Sequence, residues 1–171
     1  MLFRSPAWLL RPDVQRGIAA VLDRGLVYDL LCLPPQWEAT LATARAFPNG
    51  RFVLDHIGKP RMAAGRDEAW FPWIAAIGAL PNVDVKLSGM VTEADHRTWT
   101  PADLRPCIDA AIAAFGPSRA MFGSDWPVCL LAADYGRTIG VLEDAIAGLS
   151  ADERASIMGG TAVRAYGLRV A

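Results

Sequence analysis

Four apolar runs, spaced far apart along the chain, limit what it can become. Leu26-Val-Tyr-Asp-Leu-Leu31, Arg51-Phe-Val-Leu-Asp-His56, Val83-Asp-Val-Lys-Leu87 and Arg119-Ala-Met-Phe-Gly123 each read as a strand. Taking Val27, Val53, Val85 and Met121 as reference points, the runs are 26, 32 and 36 residues apart. Such gaps are too long for hairpins and suit a strand, a crossover helix and a return to a parallel neighbour. The second run stays apolar without alternation until its end, as a strand covered on both faces does.

The intervening segments read as the crossovers. Pro12 opens a helix through Leu22, with Val14, Ile18, Val21 and Leu22 at helical spacing and Gly25 as its stop. Further helices are predicted from Pro34-Pro35 through Phe47 and over residues 67–80, the latter ended by Pro81-Asn82. Thr100 is a good N-cap, with Pro101 and Asp103 in the first turn. Leu104, Cys107, Ile108, Ala111, Ile112 and Phe115 then form an apolar stripe that Gly116-Pro117 terminates. A helix over residues 138–147, a capping box at Ser150 and Glu153, and a last turn over residues 162–166 complete a βα series with a helical tail.

Parallel βα units either open as a doubly wound sheet or close as an eight-stranded barrel, which takes about 250 residues. With 171 residues, length alone favours the open sheet. Seventeen Lys and Arg against eighteen Asp and Glu leave a formal charge of −1, so no basic footprint for nucleic acid exists. The 53% hydrophobic content at near-zero charge excludes disorder. No apolar stretch reaches a membrane span, and residues 1–11 lack the apolar region and cleavage site of a secretory signal. The expectation is a cytoplasmic protein with neither nucleic acid nor membrane as partner. Cys32, Cys107 and Cys129 make no metal spacing with the two histidines, His56 and His96, and read as buried thiols in a reducing compartment.

Each strand carries an ionisable residue at or just beyond its C-terminal end: Asp29, Asp55 with His56, Lys86, and Asp125. Parallel sheets build substrate sites along that rim. A carboxylate, an imidazole and an ammonium converging there can bind an acidic substrate, polarise its carbonyl and activate water. The plainer reading stays open for most of them. Asp29 and Asp55 also fit helix caps or turns, His56 a satisfied loop histidine, and Asp125 a cap; His96 reads as a surface loop residue. Lys86 is harder to dismiss, because an ammonium among apolar neighbours is costly unless paired. The chain lacks GxGxxG, a phosphate loop, GxSxG, HxH and HExxH, which removes dinucleotide binding and a nucleophile elbow from consideration.

Three of these strand ends resemble one family's signatures. Phe52-Val-Leu-Asp-His-Ile-Gly-Lys-Pro60, Asn82-Val-Asp-Val-Lys-Leu-Ser-Gly89 and Met121-Phe-Gly-Ser-Asp-Trp-Pro-Val128 are similar, in that order, to motifs of the amidohydrolase 2 type. This is the superfamily group that includes sugar-lactone and 2-pyrone-4,6-dicarboxylate lactonases. The tail Gly159-Gly-Thr-Ala-Val-Arg-Ala-Tyr-Gly-Leu168 resembles that group's closing helix. The resemblance implies an α/β fold that is part of a (β/α)8 TIM barrel, and a cytoplasmic hydrolase acting on a cyclic ester in carbohydrate or aromatic-acid catabolism. By analogy Asp125 is the general base, His56 polarises the carbonyl, Lys86 and Asp29 bind substrate or support the site, and Trp126 walls the pocket. Metal use is left open; a divalent ion such as zinc would take His56 and Asp125.

The family's first strand carries His-x-His, which this chain lacks, so the expectation is a C-terminal portion of a lactonase-like barrel, residues 1–171 forming one domain. Its unpaired sheet edges invite pairing with another chain or a second copy. Two alternatives remain: a non-catalytic half-barrel that assembles with another polypeptide, and a metal-dependent decarboxylase of the same superfamily.

Overall fold

The computed structural model describes residues 5–169. Residues 1–4, part of the N-terminal stretch read above for a signal, lie outside the described residues, as do the last two.

Helix α1 (Pro12–Leu22) leads into β1 (Val27–Leu30). Then follow α2 (Trp37–Ala46), β2 (Arg51–Leu54), α3 (Trp70–Gly78), β3 (Val83–Leu87), a short α4 (Met90–Glu93), α5 (Pro101–Phe115) and β4 (Ala120–Phe122). The chain closes through α6 (Tyr135–Ile146), α7 (Ala151–Ala155) and α8 (Thr161–Tyr166). Each long gap is thus a helical crossover. The predicted boundaries hold for α1, β3 and α5 and shift by a few residues elsewhere. Asp55 and His56 are a correction: they are not part of the second strand but of a turn over Asp55–Gly58. Helix α4 carries no apolar periodicity long enough to announce it, and the double proline makes a separate 3-10 turn, Pro34–Gln36, before α2.

All neighbours pair in parallel, in the order β1-β2-β3-β4, with Val27 opposite Arg51, Phe52 opposite Val83 and Val85 opposite Ala120. Doubly wound sheets reverse their strand order at a switch point. This one never reverses, so it is a length of barrel wall, and the open doubly wound sheet that length favoured is not what forms. Both outer edges, on β1 and β4, lack a strand partner among the described residues.

The pleat sends alternate side chains to opposite faces. Leu30, Phe52, Leu54, Val83, Val85, Leu87 and Ala120 enter the main core with Ile18, Ile74, Ile77, Leu104 and Ile108 of the crossover helices. On the other face, the barrel's inner side, Val53 and Met121 pack on Ala165 of α8 beside Val27 and Tyr166. The tail helix therefore lies across the inner face near the strands' N-terminal ends, where Arg164 bonds Asp84 at 2.8 Å and the Ser118 carbonyl at 2.8 Å. No described helix is long and apolar enough to cross a membrane. The three cysteines are free and buried.

Leu54 is fully buried between the sheet and the crossover helices, whereas Leu26 is 55% exposed. Leu54→Ala is expected to cost about 2–5 kcal/mol in chemical denaturation, and Leu26→Ala less than about 0.5 kcal/mol. Equal losses would contradict this core.

Candidate active site

Where β2 ends, the backbone turns left-handed for four residues: His56 (φ 51°), Ile57 (φ 47°), Gly58 (φ 74°) and Lys59 (φ 54°). For a β-branched residue such as Ile57 this conformation is rare and strained, and it persists only where the surroundings enforce it. Three indoles do so. Trp70 Nε1 donates to the Ile57 carbonyl at 2.8 Å and Trp37 Nε1 to the Gly58 carbonyl at 2.7 Å, while Trp73 Nε1 donates to the Trp37 carbonyl at 2.9 Å. Trp37 and Trp73 stack with centroids 5.0 Å apart. A Cβ on Gly58 would lie 2.4 Å from the Trp73 ring, so the tryptophan clamp admits only glycine there.

This turn throws the His56 imidazole over the C-terminal rim. Nδ1 lies 2.8 Å from Ser88 Oγ, just past β3, and Nε2 lies 3.6 Å from Oδ1 of Asp125, just past β4. Asp125 also has positive φ, 54°. Gly89 and Gly123 make the approach possible: a Cβ on Gly89 would sit 2.7 Å from that of His56, and one on Gly123 would sit 2.9 Å from that of Ser88. Burial lowers the His56 pKa from 6.5, outweighing the opposing pull of Asp125 and Asp55.

Below the rim, on the inner face, Lys86 Nζ stands 2.7 Å from Oδ2 of Asp29 and 2.7 Å from Oδ1 of Asp55. Asp55 Oδ1 is buried and meets the ammonium as a close ion pair. Tyr166 of α8 donates to Oδ1 of Asp29 at 2.8 Å. Burial opposes the charge on Lys86, but the acceptors Asp29, Asp55 and Tyr166 together raise its pKa above the ordinary lysine value. Burial and the neighbouring Asp29 push the Tyr166 phenol up to about 12, against the pull of Lys86. Asp29 and Asp55 are therefore partners of Lys86 in the fold, and neither caps a helix. Lys59 pairs with Glu93 of α4.

A cavity of about 600 Å³ opens beside this cluster. His56, Asp125, Asp29 and Lys59 face it from one side, and Trp8, Leu31, Leu33 and Val128 form much of the rest. Cys32 also lines it, but burial pushes that thiol up to about 11, which leaves it protonated and a poor nucleophile. Trp126 is 64% exposed and does not line this cavity, and Lys86 lies beneath it. His96 is exposed, contacts the Thr92 carbonyl at 3.0 Å and does not line this cavity. Sequence reasoning assigned no role at the site to Ser88, Tyr166, Glu93, Trp37, Trp70 or Trp73. Ser88 lay within a quoted motif, but nothing local signals which ring its hydroxyl meets.

Among the described residues no group of three His, Cys, Asp or Glu is placed to hold a metal ion. Zinc draws on three or four protein ligands. His56 and Asp125 supply two, so this donor set does not complete a zinc site.

A singly wound parallel wall with its polar groups at the strands' C-terminal rim defines a (β/α)-barrel type of architecture. The amidohydrolase family model matches residues 2–168, and the chain belongs to that family. It is 46% identical over 166 residues to the L-fucono-1,5-lactonase of Burkholderia multivorans, covering 91% of this chain and 56% of that protein. The L-fucono-1,5-lactonase of Burkholderia ambifaria is 41% identical, with 93% and 56% covered. A crystal structure of a Burkholderia multivorans amidohydrolase with bound zinc superposes with a TM-score of 0.93 at 40% identity, covering 98% of this chain and 63% of that one. The chain thus spans little more than half the length of the curated relatives it matches.

Two outcomes follow from this geometry. Gly58→Ala is expected to cost at least about 1–2 kcal/mol from the left-handed backbone alone and to perturb tryptophan fluorescence, since its Cβ meets Trp73; an unchanged midpoint and spectrum would contradict the clamp. In an NMR titration His56 should protonate below 6.5. Its contribution to stability is then complete above 6.5 and is lost as the pH falls from there through the lower folded value. A midpoint at or above 6.5 would contradict the burial described.

Proposed function

We propose that the rim formed by His56 and Asp125 hydrolyses a lactone, with a neutral sugar lactone as the substrate class. The observation that supports it is the facing of His56 Nε2 and Asp125 Oδ1 across 3.6 Å at the mouth of the cavity. Asp125 accepts a proton from water as the water oxygen attacks the lactone carbonyl carbon. The Nε2–H of a neutral His56 stabilises the carbonyl oxygen as it gains charge. The C–O bond of the ring then breaks, and the ring oxygen leaves as a hydroxyl by taking up the proton that Asp125 received. The product is the open hydroxy acid. Lys86, held between two carboxylates, supports the floor of the site with Asp29. A divalent cation such as zinc bound at this mouth would find two ligands in His56 and Asp125, and no step above is routed through one.

Charge favours a neutral ring over a dicarboxylate. The cavity is lined by Asp29 and Asp125 against the single ammonium of Lys59, which Glu93 already neutralises. A doubly anionic substrate would meet repulsion here and no unpaired ammonium or guanidinium among the residues that line the cavity. The names of the Burkholderia relatives agree with this reading.

The direct test grafts this chain in place of the corresponding segment of the Burkholderia multivorans lactonase and assays L-fucono-1,5-lactone hydrolysis. Activity is expected in the graft, and Asp125→Asn should lower kcat by about 10²- to 10⁴-fold. An active graft indifferent to Asp125→Asn would overturn the assignment.

The open edges on β1 and β4, and the exposed Leu31, Leu33, Leu130 and Leu131, favour pairing with further polypeptide. In size-exclusion chromatography the isolated chain should elute well above its 18.4 kDa mass. A monodisperse monomer at high concentration would contradict that.

A further inference from the structure

We infer that Ser88 is a positioning residue that fixes the His56 imidazole in the tautomer carrying its proton on Nε2. Ser88 is 2% exposed, directly after β3, and its hydroxyl lies 2.8 Å from Nδ1. A buried hydroxyl needs a partner, and the imidazole is the side chain that supplies one. A neutral imidazole has one donor nitrogen and one acceptor nitrogen. Nε2 faces the Asp125 carboxylate, which offers only acceptors, so the ring's proton is stabilised on that side. Nδ1 is left as the acceptor, and the Ser88 O–H donates to it.

The fit of the slot argues that this contact is built into the fold. Gly123 is needed to bring Ser88 to this depth, since a Cβ there would be 3.2 Å from Oγ. Gly89 is needed to seat the ring, since its Cβ would lie 2.9 Å from Nδ1. Two glycines thus press one hydroxyl and one imidazole edge together, while the tryptophan clamp fixes the backbone behind the ring. A flip of the ring about its Cβ–Cγ bond would put a carbon where Nδ1 now meets Ser88 Oγ and lose that contact. The consequence is that the edge presented to the cavity is a hydrogen-bond donor, oriented for a carbonyl oxygen. That consequence rests on the lactonase reading; the tautomer itself does not.

The test is the long-range ¹⁵N–¹H spectrum of the imidazoles in the uniformly labelled chain, treated with a chelator and held at about pH 8, above the ordinary imidazole range. The chain has two histidines, so His56→Asn assigns the spectrum. His56 should show a protonated-type Nε2 and a bare-type Nδ1. Ser88→Ala should bring the two shifts toward each other as the tautomers mix, with far-UV circular dichroism unchanged. A bare-type Nε2 in the unsubstituted chain would overturn the inference, as would an unaltered pair of shifts in a folded Ser88→Ala. Should Ser88→Ala fail to fold, the unsubstituted spectrum alone decides between the two tautomers. In the grafted lactonase Ser88→Ala should lower kcat more than it raises KM. Loss of that effect with the Nε2–H tautomer intact would count against the lactonase reading and leave the tautomer standing.

Discussion

The left-handed turn after β2 is the constraint on which the site depends. A strand that simply continued would carry residue 56 along the sheet and leave its side chain on one face or the other. Four residues of positive φ instead lift His56 over the rim, toward Ser88 and Asp125 on the next two strand ends. Such a turn carries a strain of about 1–3 kcal/mol for each non-glycine residue in it. Its stability comes from elsewhere: two indole N–H groups satisfy the turn's carbonyls, and a third ties the tryptophans to one another. The hydrophobic layer between α2 and α3 and the chemistry at the rim are therefore one mechanical unit. Core substitutions at Trp37, Trp70 or Trp73 act on His56 without touching it.

A second layer lies beneath. The Lys86 ammonium draws Asp29 of β1 and Asp55 of the turn after β2 to the end of β3, and Tyr166 adds the tail helix to the same cluster. Removing one partner from such a half-buried group leaves an uncompensated charge, which costs far more than the pair contributes. The cluster thus fixes the relative heights of three strand ends. That keeps the floor of the cavity level while the rim carries the strained, reactive groups.

Much of the fold was legible because it rests on periodicity. Strand spacing gave the parallel crossovers, and Pro12, Thr100 and Gly116 marked helix boundaries that the structure keeps. The strand ends could be singled out because ionisable residues interrupt apolar runs there. Length misled, since it favoured a doubly wound sheet, whereas the unreversed strand order is a property of the whole that no single segment encodes. The turn at His56 was hidden for the opposite reason. Ile57 has a strong preference for extended backbone, and only the tertiary hydrogen bonds from residues 37 and 70 override it. Ser88 and Tyr166 were silent because a hydroxyl's partner is decided by depth and direction, here set by glycines and by a helix far along the chain.

The central claim is that His56 and Asp125 act on one carbonyl as a single catalytic unit. A double-mutant cycle measures that most directly, with His56→Asn, Asp125→Asn and the double variant compared for lactone hydrolysis in the grafted barrel. Residues acting as a unit are strongly non-additive, so the double variant should be scarcely slower than the worse single variant. Rate losses that multiply would show two independent groups and contradict the account.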